Sequence, residues 1–422
     1  MAAARAPFLP GRVRVLSSGL AAAGDPVMAP DGRSVLFVGK EKPDSAWQIY
    51  QASLDGTAPQ RLTSMSGGAM SPDFVSNGDL VFVSPVPAVG GDGSFPKAAS
   101  VFAQSRQGPP HRLTFNAHDA TDLTVLGDGR ILFATAFGST TAAVASAQAL
   151  FTVNNDGTEF TLYAGRHDRA LRIRRPREFG NRLGYVASSA DAPSREAWAE
   201  TVRSARPFSN EERLFAFAKT ECASVSDGGG GTYLASLKHG STLAIYRVAT
   251  NATALGPALF DDPAWHDIEA VLATPRPQPV GHISAMSPAK PFGTILCLDA
   301  NRTSFLAADG SVPKAETIRV TGLAADGSAK WLGNVPVHAD GSFMAEVPAD
   351  LPLGFEALDA RGQVLRATPP VVWVRAGENR ACLGCHEPHG RSPRNHRPLA
   401  VRAPLMRLVG PDAKLAQTGS SR

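Results

Sequence analysis

The sequence predicts an all-β protein, in which an N-terminal β-propeller of about six blades is followed by a small antiparallel β domain that ends in a cysteine-bearing loop. Three observations predict this. The chain is rich in turn-forming residues, with 40 glycines and 33 prolines among 422 residues, and such a composition favours short strands over long helices. A strand-and-turn unit recurs along the first half. A cysteine and histidine motif follows the last predicted strand.

The recurring unit indicates the architecture. Apolar strands are predicted to begin at Val35, Leu80, Ile131, Leu183 and Tyr233, at intervals of 45, 51, 52 and 50 residues. Asp-Gly or Asn-Gly turns precede the first three of these strands. A repeat of this length that carries strands and turns is typical of propeller blades, each of which buries its faces against its neighbours. A series of β-sandwiches is the alternative, but it would not return the same order of turns and strands.

A Cys-x-x-Cys-His motif lies near the C-terminus, at Cys382-Leu383-Gly384-Cys385-His386. Two thiols at this spacing form thioether bonds to the two vinyl groups of one haem, and the adjacent imidazole ligates the iron. The motif therefore predicts one covalent haem c, held by Cys382 and Cys385, with His386 as an axial ligand. A zinc site or a plain disulfide is the alternative. A structural zinc site generally takes four ligands in two pairs, whereas the remaining cysteines, Cys222 and Cys297, stand apart in the sequence.

The second axial position decides what a haem does, because a second strong ligand favours electron transfer and an open position permits small-molecule chemistry. His396 is the predicted second iron ligand, since it follows the motif closely enough to fold back. Arg380 and Arg394 are predicted to contact haem propionates, because a planar guanidinium suits carboxylates. Remoter or worse placed candidates for the iron are His389, Met344, Met406, His338 and His282. Cys222 and Cys297 either pair with each other, as an oxidising compartment allows, or remain buried thiols.

Composition and turn signals divide the chain into five parts. They are an N-terminal segment (1–14), the propeller (15–290), a β-rich middle domain (291–377), a haem-binding loop region (378–405) and a tail (406–422). The proline-rich stretch 275–279 is interpreted as part of a covering linker. The predicted strand 294–298 either completes the last blade or opens the middle domain.

Charge and hydropathy narrow the classes of partner. A net charge of +4 is too small to indicate a nucleic-acid-binding protein. No apolar run reaches the roughly 18 residues that a spanning helix needs, so no transmembrane segment is expected. A redox protein that docks on the propeller is the expected partner.

Two resemblances follow from these motifs. Residues 15–250 resemble the TolB-like propellers built from Pro-Asp (PD40) repeats, which generally serve as interaction platforms. The chain also resembles the hydrazine synthase alpha subunit and its relatives in the order of its parts. These are the propeller, a strand unit at 340–350, a segment at 372–378 and the motif at 382–387. That resemblance implies a middle domain with a c-type haem. It also implies a tyrosine iron ligand soon after the motif, but residues 387–397 contain no tyrosine, so hydrazine synthesis itself is not expected.

The expected function is that of an exported c-type haem protein with a redox role, either electron transfer or a haem-dependent oxidoreductase reaction. The alternative is a propeller scaffold with a structural haem or metal site and no catalysis. Haem attachment of this kind takes place outside the bacterial cytoplasm, which predicts a periplasmic or otherwise exported protein. Prolines and arginines interrupt residues 1–24, which makes them a poor signal peptide. We therefore expect the true start to lie upstream or a leader to have been removed.

Overall fold

A computed structural model describes residues 2–3, 13–85, 98–106, 108–136, 147–165, 171–190, 197–208, 211–215, 221–323, 328–385 and 395–410. The chain divides into two compact units. The first comprises Met1–Gly90, Lys97–Thr114 and His118–Ile283, and the second comprises Gly91–Pro96, Phe115–Ala117 and Ser284–Arg422. Strands form almost all of the regular structure in both units, which confirms the all-β prediction.

Five successive sheets make up the first unit in the described residues, after a short pair formed by β1 (Ala2–Ala3) and β2 (Arg14–Val15). The first sheet contains β3 (Ala22–Met28), β4 (Ser34–Lys40), β5 (Gln48–Ser53) and β6 (Gln60–Arg61); the second contains β7 (Met70–Phe74), β8 (Leu80–Ser84), β9 (Ser100–Gln104) and β10 (His111–Arg112). The third contains β11 (Ala120–Val125), β12 (Ile131–Ala136), β13 (Gln148–Val153) and β14 (Thr161–Ala164); the fourth contains β15 (Leu171–Phe179), β16 (Arg182–Ser189), β17 (Trp198–Arg203) and β18 (Glu212–Arg213). The fifth contains β19 (Cys222–Gly229), β20 (Thr232–His239) and β21 (Thr242–Ala249).

Each sheet is an antiparallel meander that follows chain order, as in a propeller blade. The five predicted strand starts fall in β4, β8, β12, β16 and β20, the second strand of each sheet. The first strands of consecutive sheets lie next to one another, which is how strands gather around a propeller axis. The sequence predicted about six blades, and the described residues form five such sheets.

A β-bulge interrupts the first strand of several sheets. Asp25, Asp122 and Arg175 each have a φ of 51° at a break in the strand register. A bulge leaves a backbone N–H without a partner in the ladder, and here carboxylate oxygens accept hydrogen bonds from two of these N–H groups. The N–H of Arg175 donates to Oδ1 of Asp122 at 2.9 Å, and the N–H of Asp25 donates to Oε2 of Glu269 at 2.5 Å. The first of these bonds joins the first strands of the third and fourth sheets, and the second joins the first strand of the first sheet to the segment after the fifth sheet.

The segment that follows the fifth sheet runs along these first strands. The N–H of Glu269 donates to Oγ of Ser224 in the fifth sheet at 3.0 Å, and the N–H of Val280 donates to the carbonyl of Gly127 at 3.1 Å. Between them, the N–H of Arg276 donates to the carbonyl of Pro30 at 3.0 Å. We name residues 266–282 the axial segment, because its contacts reach the first, third and fifth sheets.

Charged side chains meet where the axial segment crosses the bulges. Glu269 pairs with Arg175, and Arg177 lies 3.2 Å from Oδ1 of Asp25. Burial raises the pKa of Asp25 to about 6, and the carboxylates of Glu269 and Asp122 add to the effect, while Arg177 opposes it. An ionised Asp25 is therefore unfavourable in this setting despite its arginine neighbours.

The described residues of the second unit form two four-stranded sheets. One has the order β28-β22-β25-β29, made of β22 (Phe292–Cys297), β25 (Phe343–Pro348), β28 (Asn379–Cys382) and β29 (Met406–Arg407). The other has the order β24-β23-β26-β27, made of β23 (Thr317–Leu323), β24 (Ala329–Pro336), β26 (Leu353–Leu358) and β27 (Val364–Val372). A four-residue 3-10 helix spans Leu399–Arg402. Apolar residues of both sheets form one buried cluster, including Ile295, Cys297, Ile318, Val347 and Leu353.

The strand directions add a detail to the predicted antiparallel domain. The β23-containing sheet is antiparallel throughout, but β22 pairs in parallel with β28, and β25 pairs in parallel with β29. Parallel pairing arises because β28 and β29 enter their sheet through connections longer than a hairpin turn. The 294–298 segment lies in β22 and its end, so it belongs to this unit and not to a last blade. No helix among the described residues is both long and apolar enough to span a bilayer.

Candidate functional site

The first cysteine of the motif, Cys382, is the last residue of the edge strand β28. Its partner in the parallel ladder is Cys297, the last residue of β22. The N–H of Leu298 donates to the carbonyl of Cys382 at 2.9 Å, which extends the ladder by one bond. The side chain of Cys382 is half-buried and packs against the apolar cluster of the second unit. Strand pairing therefore fixes the position of the first thiol.

The second cysteine lies just beyond the strand and has its own backbone anchor. The N–H of Cys385 donates to the carbonyl of Arg302 at 3.1 Å. Cys385 is also half-buried, while Leu383 between the two cysteines is 44% exposed. The two thiols therefore stand on backbone that is held at both ends and remains open to solvent between them.

A buried turn leads the chain into β28. The N–H of Arg375 donates to Oε2 of Glu378 at 2.7 Å, and the Glu378 carbonyl accepts the N–H of Thr294 in β22 at 2.7 Å. The guanidinium of Arg375 lies 2.7 Å from Oδ1 of Asp350. Arg375 and Glu378 are both buried. This turn, part of the 372–378 sequence segment singled out above, fixes the start of β28 and hence the register that places Cys382.

His396 lies at the same end of this sheet. Its Nε2 is 3.2 Å from Oδ2 of Asp340, in the turn that precedes β25. Burial opposes ionisation of Asp340, but hydrogen bonds from Ser342, Leu399 and His396 outweigh it and lower the pKa of Asp340 to about 2. Asp340 is thus a carboxylate at neutral pH, and it orients the imidazole of His396. A carboxylate on one ring nitrogen is the usual arrangement for a histidine whose other nitrogen ligates a metal.

The β22 strand shows why these groups come together. Its C-terminal end lies beside Cys382 on one side and beside Phe343, the first residue of β25, on the other. The N–H of Ala300 donates to the carbonyl of Gly341 at 2.7 Å. The motif cysteines and the Asp340 turn are therefore brought to one end of one sheet, although 42 residues separate Asp340 from Cys382 in the sequence.

The remaining predicted residues differ in how close they lie to the motif. Arg380 is half-buried and lies two residues before Cys382 on the same face of β28. Met344 lies on the other face of the sheet, because it shares a register position with Leu296 and Ala381. Met406 is on β29, at the far edge from β28. The predictions for His386, His389 and Arg394 lie outside the described residues.

The two cysteines outside the motif do not pair with each other. Each is a free, buried cysteine, and they lie in the apolar clusters of different units. Burial raises the pKa of the Cys222 thiol to about 12. The position of Cys297 beside the motif was missed by sequence reasoning, because nothing local in the sequence links residue 297 to residue 382. In the part of the chain that the structure describes, no group of three or more His, Cys, Asp or Glu side chains is arranged to hold a metal ion.

The comparisons with known proteins bear on the second unit most directly. Residues 300–387 match the family model of the hydrazine synthase alpha subunit middle domain. The match includes both motif cysteines, and it confirms the resemblance that the sequence motifs indicated. No curated protein matches the sequence.

A solved structure extends the likeness beyond that domain. A chain of the hydrazine synthase of Kuenenia stuttgartiensis superposes with a TM-score of 0.79 at 18% identity, covering 92% of this chain and 66% of that one. This chain therefore spans a little less than two thirds of that relative. TolB from Acinetobacter baumannii matches with a TM-score of 0.43 at 13% identity, covering 55% of this chain and 52% of that one. At 18% identity, the hydrazine synthase match establishes a shared fold.

Proposed function

We propose that this protein is an exported c-type haem protein with a redox role, in which Cys382 and Cys385 hold one haem covalently and His386 ligates its iron. One observation carries the proposal. The motif thiols stand on a backbone that the sheet fixes at Cys382 and that the Arg302 carbonyl fixes at Cys385. A rigid mount of this kind is what a covalently attached cofactor needs.

The residues around the motif suit a haem. The two half-buried thiols supply the sulfurs of the thioether bonds, and the half-buried Arg380 lies on the same face of β28 as Cys382. A planar guanidinium suits a propionate carboxylate. Haem, when bound, would supply an iron that accepts and releases single electrons at a potential set by its axial ligands and surroundings. The protein's part is to hold the group, orient its ligands and limit its contact with water.

His396 is the residue of this chain that we assign as the second ligand of the haem iron. Asp340 holds one ring nitrogen of His396 by a hydrogen bond. That bond fixes the orientation of the ring. Two strong axial ligands favour electron transfer over chemistry on a small molecule. We therefore favour electron transfer, with a redox protein as partner and the periplasm as the compartment in which haem is attached.

The proposal is tested by expressing the full chain with an added export leader and a cytochrome c maturation system. The expected product is a red protein whose mass exceeds that of the polypeptide by one haem, and whose haem stays with the chain on denaturing gels. The variants Cys382→Ala and Cys385→Ala should each lose one thioether bond, which shifts the α band of the reduced pyridine complex. Cys222→Ala is the matched control and should leave the spectrum unchanged.

A colourless wild-type product whose mass lacks the haem would contradict the proposal, provided that a known c-type cytochrome matures in the same cells. A haem that is lost on denaturation would contradict covalent attachment while leaving haem binding intact. These two outcomes separate the cofactor from its mode of attachment.

A further inference from the structure

A third thiol stands beside the haem motif. Cys297 and Cys382 are partners in the parallel ladder between β22 and β28. Neighbouring strands lie about 4.8 Å apart, and register partners project to the same face of the sheet. A disulfide requires a Cα separation of about 4.4 to 6.8 Å. Strand pairing therefore brings these two cysteines within bonding range without any change in the path of the chain.

The two thiols differ in their access to solvent. Cys297 is 2% exposed, whereas Cys382 is half-buried at the end of an edge strand. Cys382 packs on the apolar cluster that contains Cys297. Burial raises the pKa of Cys297 well above its ordinary value, and the neighbouring Cys382 and Cys385 thiols add to this. An oxidant from solvent therefore reacts first with Cys382. Cys297 is then the neighbouring thiol on the paired strand.

We propose that, before haem is attached, Cys297 forms a disulfide with Cys382. The oxidant is a small-molecule or protein disulfide. The Cys382 thiolate attacks one sulfur of that disulfide, forming a mixed disulfide and releasing one thiol. The Cys297 sulfur then attacks the Cys382 sulfur, which forms the internal bond and releases the second thiol. Two protons leave the protein thiols, and the two electrons reduce the external disulfide to two thiols.

Cys385 is the competing partner for Cys382, and the backbone favours Cys297. The ladder holds Cys297 opposite Cys382, and the Leu298 N–H bond to the Cys382 carbonyl locks the pair at the end of the sheet. The N–H of Cys385 is held by the Arg302 carbonyl, beyond the end of the strand. Because Cys382 is half-buried at the end of an edge strand, reductants from solvent can reach this disulfide, and accessible disulfides are among those most easily reduced. The bond would therefore act as a temporary protection of Cys382.

The first experiment maps the bond in the full chain made without haem. The reduced protein is freed of reductant, incubated with oxidised glutathione, alkylated with N-ethylmaleimide under denaturing conditions and digested without reduction. Mass spectrometry should find the peptide that contains Cys297 linked to the peptide that contains Cys382. Fragmentation should place the link at Cys382, with Cys385 and Cys222 alkylated.

Two variants test whether the crosslink depends on Cys297. In Cys297→Ala the crosslinked peptide should disappear, and Cys382 should carry glutathione instead. In Cys222→Ala, the matched change at a buried cysteine of the other unit, the crosslink should persist at the wild-type level. A dominant link between Cys382 and Cys385, or full alkylation of Cys297 in the oxidised wild-type chain, would overturn the inference. The wild-type map requires no variant to fold.

The consequence for haem attachment rests on the proposed function, and a second measurement separates the two. In cells with the maturation system and no added reductant, Cys297→Ala should carry several-fold more haem per chain than the wild type. An added membrane-permeant thiol should remove the difference. Equal haem loading without reductant would refute the protective role, whereas no haem in any sample would refute the haem proposal and leave the mapped disulfide standing.

Discussion

Arg276 and Asp73 form a partly buried ion pair between the axial segment and the second sheet, with Nη2 of Arg276 2.6 Å from Oδ1 of Asp73. Asp73 is 3% exposed at its side chain, and its other oxygen accepts the N–H of Val125 in the third sheet at 2.8 Å. Nε of Arg276 donates to the carbonyl of Met28 in the first sheet at 3.0 Å. This one pair therefore connects three sheets of the propeller to the segment that follows it.

Replacing Arg276 should destabilise the propeller strongly. Arg276→Ala leaves the buried Asp73 carboxylate without its ion partner. Loss of one member of a fully buried pair costs about 3 to 5 kcal/mol, and the partial exposure of Arg276 places the expected cost at or below the lower end of that range. The cost should appear as a lower midpoint of denaturant unfolding. It should also appear as faster hydrogen exchange at the Val125 amide, whose N–H donates a hydrogen bond to Asp73.

The control for this prediction is an exposed pair in the same unit. Glu41 lies 3.2 Å from Arg61, and both side chains are more than a third exposed. Glu41→Ala should change the unfolding midpoint little, because surface pairs contribute roughly 0 to 1 kcal/mol. If Arg276→Ala and Glu41→Ala lowered the unfolding midpoint by the same small amount, the axial segment would not hold the sheets together.

The local parts of this fold could be predicted from the sequence, and the long-range parts could not. Leu80 and Ile131 begin β8 and β12 as predicted, because an apolar run after an Asn-Gly or Asp-Gly turn is a local signal. The pairing of Arg276 with Asp73 spans 203 residues, and nothing near either residue specifies the other. The same holds for Cys297 and Cys382, since the pairing of β22 with β28 depends on the fold of the whole second unit.

The candidate site was predictable to a similar degree. The spacing of Cys382 and Cys385 is a local pattern that requires no fold to recognise, and closeness along the chain indicates His396. The Asp340 partner of His396 lies 56 residues away. It could only be found once the β22 and β25 pairing placed the Asp340 turn at the end of the sheet that carries the motif.

Asp25 should make the stability of the propeller depend on pH. Its pKa is raised from 3.8 to about 6 in the folded chain, so the folded state holds this proton more tightly than the unfolded state does. Stability from this group is therefore full below about pH 4 and is lost as the pH rises through 6. A shift of about two pKa units corresponds to about 3 kcal/mol.

Asp25→Asn removes this dependence, and asparagine tolerates the positive φ of the position. The variant should gain stability relative to the wild type between pH 4 and pH 7, by up to about 3 kcal/mol. Denaturant unfolding across that range measures the difference. Asp44→Asn, the same change at an exposed residue of the same unit, is the matched control. A flat difference for Asp25→Asn would mean that its neighbouring arginines fully compensate its charge.

Gly341 should be required at the turn that carries Asp340. Its φ is +85°, and a Cβ there would collide with the side chain and Cα of Asp299. Asp299 starts the loop that ends at Arg302, the residue whose carbonyl holds Cys385. Gly341→Ala should therefore lower stability by more than the roughly 1 to 2 kcal/mol of backbone strain alone, and it should reduce haem loading.

Gly362 provides the matched comparison. Its φ is +77°, and a Cβ there would meet no atom within 4 Å. Gly362→Ala should thus show the backbone cost without the collision, and haem loading should be unchanged. Similar unfolding midpoints for the two variants would show that the Asp299 loop moves freely to accept the methyl group.

His396 should control the spin state and potential of the haem, because its Asp340-bound ring is the assigned second axial ligand. Loss of a strong ligand converts a low-spin iron to a high-spin one and opens a coordination position. His396→Ala should therefore show a high-spin absorption spectrum, a shifted midpoint potential and carbon monoxide binding that the wild type lacks. His338→Ala, in the turn beside Asp340, should keep the wild-type spectrum. Asp340→Asn should retain low-spin iron, because the imidazole of His396 is still present. It should shift the midpoint potential, because the hydrogen bond to the His396 ring is weaker. An unchanged spin state and potential in His396→Ala would mean that another residue, or none, occupies the position.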